Sequence, residues 1–375
     1  MYNRGGGMKK TALYPYEHSS NPYIGMIKTA IESNGYEVVP MKSLFGSHSL
    51  AKEVQVITLN WFDAVPDYPM PKLLPYLVRN IARIYYFKAN HIKIIHTFHN
   101  MLPHDTKHPV LSSYIIKFMC NHADRVAVLC DYSKTALKLY MTDEDIAQKV
   151  RVVYHPTYDG IYPTSEVNIP ELSSDSNKMH ILFVGNIRPY KNIEMILKIA
   201  EDYKEKDVEF TIAGKPISEE YATQIRKLGV KAGNVNLIPR FIKDEEMTSL
   251  YQWADIVFLP LSEKSSLNSG SAMLSITFKK TLVATLVGTL MDFPQDSMFT
   301  YRYDNEEEHY HAASVAFERA FQTWQSNHSN LRDMGEQLYL YAQKKFFVTR
   351  GCQEVWTNIF RIRELKIMSV ILEIR

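Results

Sequence analysis

Ile181-Leu-Phe-Val-Gly-Asn-Ile-Arg-Pro-Tyr-Lys-Asn192 reads as a strand that stops at a glycine and is followed by two cations ahead of an apolar helix. Gly185 lets the chain turn away from a sheet, and Arg188 and Lys191 then stand at the strand's carboxyl end. Two cations beside a helix start suit a diphosphate leaving group as it gains charge. The same spacing also occurs in loops whose cations are merely solvated, so the stretch speaks for the local fold before it speaks for the chemistry.

Outward from this strand, short apolar runs alternate with longer amphipathic stretches, the pattern of parallel strands joined by crossover helices. Strands are predicted at 180–184, 208–213, 235–238, 256–259 and 282–285, with helices at 192–203, 218–228, 244–253 and 271–278. An earlier series predicts strands at 11–14, 36–39, 54–59, 92–97, 125–129 and 150–154. Its first helix carries Ile24, Ile27, Ala30 and Ile31 at helical spacing and ends at Gly35. Between the two series, Pro163, Pro170 and the run Ser173-Ser-Asp-Ser-Asn177 interrupt the periodicity. The reading is α/β, with two Rossmann-like domains at 8–165 and 179–345 joined by a linker at 166–178, and with ligands expected beyond the carboxyl ends of the strands. Residues 1–7 are left outside the fold.

A chain of 375 residues exceeds what one core usually organises, and 46% apolar with 22% charged residues is the balance of a folded protein. The formal charge of +2 gives no global field for a nucleic-acid partner. Cys120, Cys130 and Cys352 are odd in number and widely spaced, which argues for a reducing compartment. With neither a signal-peptide core nor an apolar run of spanning length, the expectation is a cytoplasmic protein. The stretch 65–90 combines an apolar face with Lys72, Arg79, Arg83 and Lys88 and carries no acid beyond Asp67. That suits an anionic membrane surface, and equally a sheet-covering helix with solvated basic residues.

Two further stretches have chemical content. Asn268-Ser-Gly-Ser271 opens a helix whose amides and dipole favour an anion, with Gly270 permitting close approach; Ser269 or Ser271 also suits a plain helix cap. Ile94-Ile-His-Thr-Phe-His-Asn-Met-Leu-Pro-His-Asp105 ends a strand with His99, Asn100, His104 and Asp105 within reach of one cleft, where Asp105 could position or deprotonate a hydroxyl. His96 and His108 complete four histidines that lack the helical His-Glu-x-x-His arrangement, so no metal is expected. Asn60-Trp61-Phe62-Asp63, at another strand end, could line the acceptor side or simply pack.

The second series resembles the retaining glycosyltransferases of family 4 and their GT-B relatives. The likeness runs through 181–192, Phe210-Thr-Ile-Ala-Gly-Lys215, Asp244-Glu-Glu-Met-Thr-Ser-Leu-Tyr-Gln-Trp-Ala-Asp-Ile-Val-Phe-Leu-Pro260 and Lys280-Thr-Leu-Val-Ala-Thr285. It extends to Ala123-Asp-Arg-Val-Ala-Val-Leu129 and Arg151-Val-Val-Tyr-His-Pro156 in the first series, and to 333–346, where it implies a helix leading back so that 346–375 cross toward the first domain.

The resemblance implies a GT-B fold, with the acceptor side in the first domain and the donor nucleotide in the second. It also implies transfer from a nucleoside-diphosphate sugar to a glycan or lipid-linked glycan in polysaccharide or glycolipid biosynthesis, with retention and without a cofactor. Peripheral contact with an inner membrane face would follow from a lipid-linked acceptor. Lys191 matches the lysine that contacts the donor phosphates, and His99 the histidine that lies against the donor sugar. Arg188 is taken as the substitute for an arginine whose place Asn186 holds. Arg240 and Phe241 fall near the base, bordered by Gly214 and Lys215. Ser266 and Leu274 stand where the family has two glutamates, and Glu263 is the nearest carboxylate, at a different offset. The altered glutamate region also resembles inverting GT-B members. A sugar-nucleotide epimerase and a non-catalytic nucleotide-sugar-binding module are the rival readings.

Overall fold

In a computed structural model the described residues are 8–18, 21–102, 106–172, 175, 177–263 and 266–346. They form two compact units that meet in sequence at Pro156 and Thr157.

The first unit holds a six-stranded parallel sheet of β1 (Lys9–Tyr14), β2 (Tyr36–Pro40), β3 (Val54–Asn60), β4 (Lys93–Phe98), β5 (Arg125–Val128) and β6 (Val150–Val152) in the order β2-β1-β3-β4-β5-β6. Its central strands are buried along almost their whole length, which explains why they read as apolar runs rather than as an alternation. The chain leaves β1 for one edge and returns past it to β3, so the loops after β1 and β3 part to opposite faces. A crevice therefore opens at their carboxyl ends.

The second unit repeats the plan with β7 (Met179–Val184), β8 (Val208–Ala213), β9 (Val235–Ile238), β10 (Ile256–Leu259), β11 (Thr281–Thr285) and β12 (Phe299–Tyr301), ordered β12-β11-β10-β7-β8-β9 and all parallel. Every residue of β7, β8, β10 and β11 is buried. Here the direction of winding reverses between β7 and β10, which sets the crevice beside Gly185 and the segment that follows Leu259.

The sequence placed a linker at 166–178, but residues 157–172 belong to the second unit. Tyr158 N donates to Thr277 Oγ1 at 3.0 Å, Val167 N donates to Ser249 Oγ at 2.7 Å, and Thr248 Oγ1 donates to the Pro163 carbonyl. Within this strap the side chains of Tyr158 and Ile169 are buried. Pro163 and Pro170 marked irregular backbone correctly, but irregular backbone is not the same as detachment; Ser173, Ser174 and Ser176 lie outside the described residues. The strand β12 and the helix Glu306–Ser326 extend the second sheet and its cover beyond the elements read from sequence. Residues 347–375, expected to cross back, lie outside the described residues.

Candidate functional site

At the end of β7 the backbone of Gly185 turns with φ +146°, and that of Gly214, after β8, with φ +152°. The two turns are pressed together: a β-carbon on Gly214 would lie 1.7 Å from the Gly185 carbonyl oxygen. Only glycine fits there. A bridge between Ile187 and Pro216 continues the contact, with Ile187 N donating to Lys215 O at 3.0 Å. A β-carbon on Gly185 would stand 3.7 Å from Ser271 Oγ, so the loop after β7 and the start of the helix Gly270–Thr277 are direct neighbours.

Ser269 caps that helix, its Oγ accepting from Ala272 N at 3.1 Å. The cap leaves the amides of Gly270 and Ser271 without intrahelical partners, beside Gly185. The loop after Gly185 is fixed from below: Asn192, held left-handed at φ 53°, donates from Nδ2 to Pro260 O at 2.6 Å, and Ser262 N donates to Tyr190 O at 3.4 Å. Arg188 and Lys191 are half-buried on this loop. Loss of solvent and the neighbouring Arg188 guanidinium push the Lys191 ammonium down to about 8, and Lys191 Nζ lies 5.2 Å from the centre of the Tyr190 ring. Arg188 and Lys191 thus crowd each other on the loop that leaves Gly185, and Gly185 itself adjoins the helix start; crowded cations and a helix N-terminus are each relieved by an anion.

The remaining candidates in this unit divide. Asn268 Oδ1 accepts from Thr289 Oγ1 at 3.1 Å, which holds the approach to the helix. Glu263 lies 3.4 Å from Arg302 and its amide donates to Tyr303 OH at 3.0 Å. Arg302 and Tyr303 were not read from sequence, because three-residue β12 is too short to show a period. Ser266 and Leu274, in the places of the family glutamates, are both buried. Arg240 is already engaged: its fork meets Glu246 at 2.7 and 2.8 Å, while Glu246 also accepts from Lys243 N at 2.9 Å. Phe241 and Lys215 are exposed.

In the first unit, β4 delivers His99 to the crevice beside the end of β3. His99 stacks on Trp61 at 4.3 Å and 19°, meets the edge of Tyr23 at 5.4 Å, and its Nε2 lies 3.1 Å from Asn60 Oδ1. Trp61 is held at φ 51°, so the chain is turned sharply where the ring is presented. Burial, with His96 and His155 nearby, holds the His99 imidazolium well below the ordinary histidine range, and burial pushes His155 down to about 4. His96 is fully buried, with Nε2 3.6 Å from Asp63 Oδ2; desolvation lowers the histidine and raises the acid, so both are driven toward neutrality. Asn100 is half-buried at the end of the same strand. His104 and Asp105 lie outside the described residues. Among the described residues no group of three or more His, Cys, Asp or Glu side chains could hold a metal ion.

Residues 164–273, which include Arg188, Lys191 and the Ser269–Ser271 helix start, match the family model described as glycosyl transferases group 1. Among solved structures, sucrose-phosphate synthase from Thermosynechococcus elongatus aligns with a TM-score of 0.69 at 13% identity, over 94% of this chain and 99% of that one. The chain is a GT-B-fold glycosyltransferase. A second GT-B structure, Anabaena HepE in complex with UDP and glucose, aligns with a TM-score of 0.64 at 13% identity over 94% of this glycosyltransferase and 99% of HepE. A GDP-mannose:glycolipid 4-beta-D-mannosyltransferase of Xanthomonas campestris pv. campestris is 18% identical over 271 residues, 71% of this chain and 70% of that protein.

Proposed function

We propose that this transferase moves a sugar from a nucleoside-diphosphate sugar to a hydroxyl of a lipid-linked glycan in polysaccharide or glycolipid biosynthesis. The observation that carries the donor half is the juxtaposition of Gly185 with Ser271, on a loop that goes on to carry the mutually crowded Arg188 and Lys191. As the bond from the anomeric carbon to the diphosphate oxygen breaks, negative charge gathers on the phosphate. Arg188, Lys191 and the amides of Gly270 and Ser271 receive it, so the site itself supplies the neutralising charge and works without a metal. HepE, solved with UDP and glucose, and the relative named for GDP-mannose and a glycolipid support the donor and acceptor classes.

The first unit supplies the sugar side. A buried, neutral His99 offers a hydrogen bond without adding charge, and Asn60 and Trp61 hold its ring. Asn100, His104, Glu263 and Asn268 are proposed on the sugar or acceptor side, and Asp105 as the group that orders the acceptor hydroxyl. Arg240 shapes the base-binding rim through Glu246 rather than by direct contact, and leaves Phe241, with Gly214 and Lys215, to border the nucleotide. Retention of configuration follows from the family resemblance. Inversion is a second reading, favoured by the buried Ser266 and Leu274 in place of two carboxylates and by the β-linkage in the relative's name.

A thermal-shift screen of nucleoside-diphosphate sugars, followed by NMR of the product anomer, tests both halves. The expected result is stabilisation by one donor and release of nucleoside diphosphate only when acceptor is present. Isomerised nucleotide sugar without acceptor would make the protein an epimerase, and binding without turnover would make it a binding module.

A further inference from the structure

The helix Met70–Ala89 buries Leu73, Leu77, Ile84 and Phe87 against the first sheet, as a crossover helix should. Its opposite face does not follow the usual rule. The outward positions at spacings of three and four are Pro71, Leu74, Pro75, Val78, Ala82 and Tyr85, all exposed and all without charge. An ordinary sheet-covering helix is polar along this stripe. Leu74, Val78 and Tyr85 are each more than half exposed.

The neighbouring crossover helix, Pro109–His122, adds Val110 and Tyr114, also more than half exposed. The two helices cover the same face of the sheet and touch: the Tyr85 and Phe118 rings are 6.3 Å apart, and Tyr85 meets the edge of His122 at 5.6 Å. Exposed Lys72, Arg79, Lys88 and Lys117 flank the apolar stripe, Arg83 sits over the Phe45 ring at 5.4 Å, and neither helix contains an acidic residue. Asp67, at the rim, accepts from Lys107 N at 3.0 Å.

We propose that this face of the first unit docks on an anionic lipid bilayer, with Leu74, Val78 and Tyr85 entering the interface and the cations meeting the headgroups. Charge selects this occupant. A second copy seated symmetrically would set cations against cations, and residues 347–375 carry five basic side chains against three acidic ones, so neither complements the face. The proposal deepens the lipid-linked acceptor reading and rests on it for its purpose: docking would bring the enzyme to an acceptor held in the same membrane.

The test is co-sedimentation of the full chain with phosphatidylcholine vesicles with and without phosphatidylglycerol, alongside Leu74→Glu/Val78→Glu and Lys72→Glu/Arg79→Glu/Lys88→Glu variants checked by circular dichroism. Wild type should bind only the anionic vesicles and release in high salt. The charge-reversal variant should bind about 100-fold more weakly, and the apolar variant should lose binding although its charge is less altered. Failure of the wild type to bind, or unchanged binding by either variant, overturns the proposal. So does a dimer in light scattering that Leu74→Glu/Val78→Glu dissociates. A Lys191→Ala protein should bind vesicles like wild type. If vesicles are not bound while a lipid-linked acceptor in detergent is glycosylated, docking fails alone; if vesicles are bound but only soluble glycans accept sugar, the acceptor reading fails alone.

Discussion

The two crevices are built on the same topological plan and filled with opposite chemistry. In the first unit the ends of β3 and β4 carry Asn60, Trp61 and His99, packed ring on ring and drained of charge by burial. In the second, the ends of β7 and β8 carry two glycine turns, the loop after β7 carries two crowded cations, and the helix Gly270–Thr277 begins with amides that have no intrahelical partner. A parallel sheet that changes winding direction provides the location in both cases; in the function proposed above, the side chains at that point make one crevice suit a neutral hydroxyl-bearing ring and the other a diphosphate. The first crevice is stiffened by aromatic stacking and the second by backbone contact between Gly185 and Gly214.

That contrast is breakable. The largest effect is expected from Gly214→Val, whose β-carbon meets a backbone oxygen that cannot move aside: a loss of at least about 3 kcal/mol, measured by chemical denaturation. His99→Gln, which keeps volume and a polar tip, should lower kcat about 100-fold while leaving nucleoside-diphosphate affinity unchanged in calorimetry. Weakened nucleotide binding in that variant would mean that the two crevices are not divided in function as described.

Lys191 gives a pH signature to the second crevice alone. Its pKa is lowered from 10.5 to about 8, so the ligand-free side chain loses its charge as pH rises through that value, whereas a bound diphosphate favours the ammonium. Affinity should therefore be level below pH 8 and fall by up to about tenfold per unit above it. Calorimetry at pH 9 in buffers of different ionisation enthalpy should register proton uptake, and Lys191→Ala should abolish it. The smallest effect is expected from Arg240→Ala, whose bidentate pair with Glu246 is substantially exposed: about 0.5 kcal/mol of stability by thermal denaturation.

Much of this plan was legible in the sequence, for definable reasons. Fully buried parallel strands appear as apolar runs, so β7, β8, β10 and β11 stood out, and Gly185 and Ser269 sit at a strand end and a helix cap where residue type is dictated by backbone geometry. What stayed hidden depends on side chains distant in sequence. The fork of Arg240 on Glu246 braces a candidate base contact from six residues away, the stacking of His99 on Trp61 joins residues from two strands, and Arg302 reaches Glu263 from beyond a three-residue strand. The basic helix at 70–89 was visible, but its exposed apolar stripe could be separated from its buried one only once both faces were placed.

The diphosphate site is tested most directly by isothermal calorimetry of nucleoside-diphosphate binding to wild type and to Arg188→Ala/Lys191→Ala. Loss of two charge-assisted contacts should weaken binding about 100-fold or more without changing the thermal stability of the ligand-free protein downward, since the crowded cations are relieved. Undiminished affinity in the double variant would contradict the site.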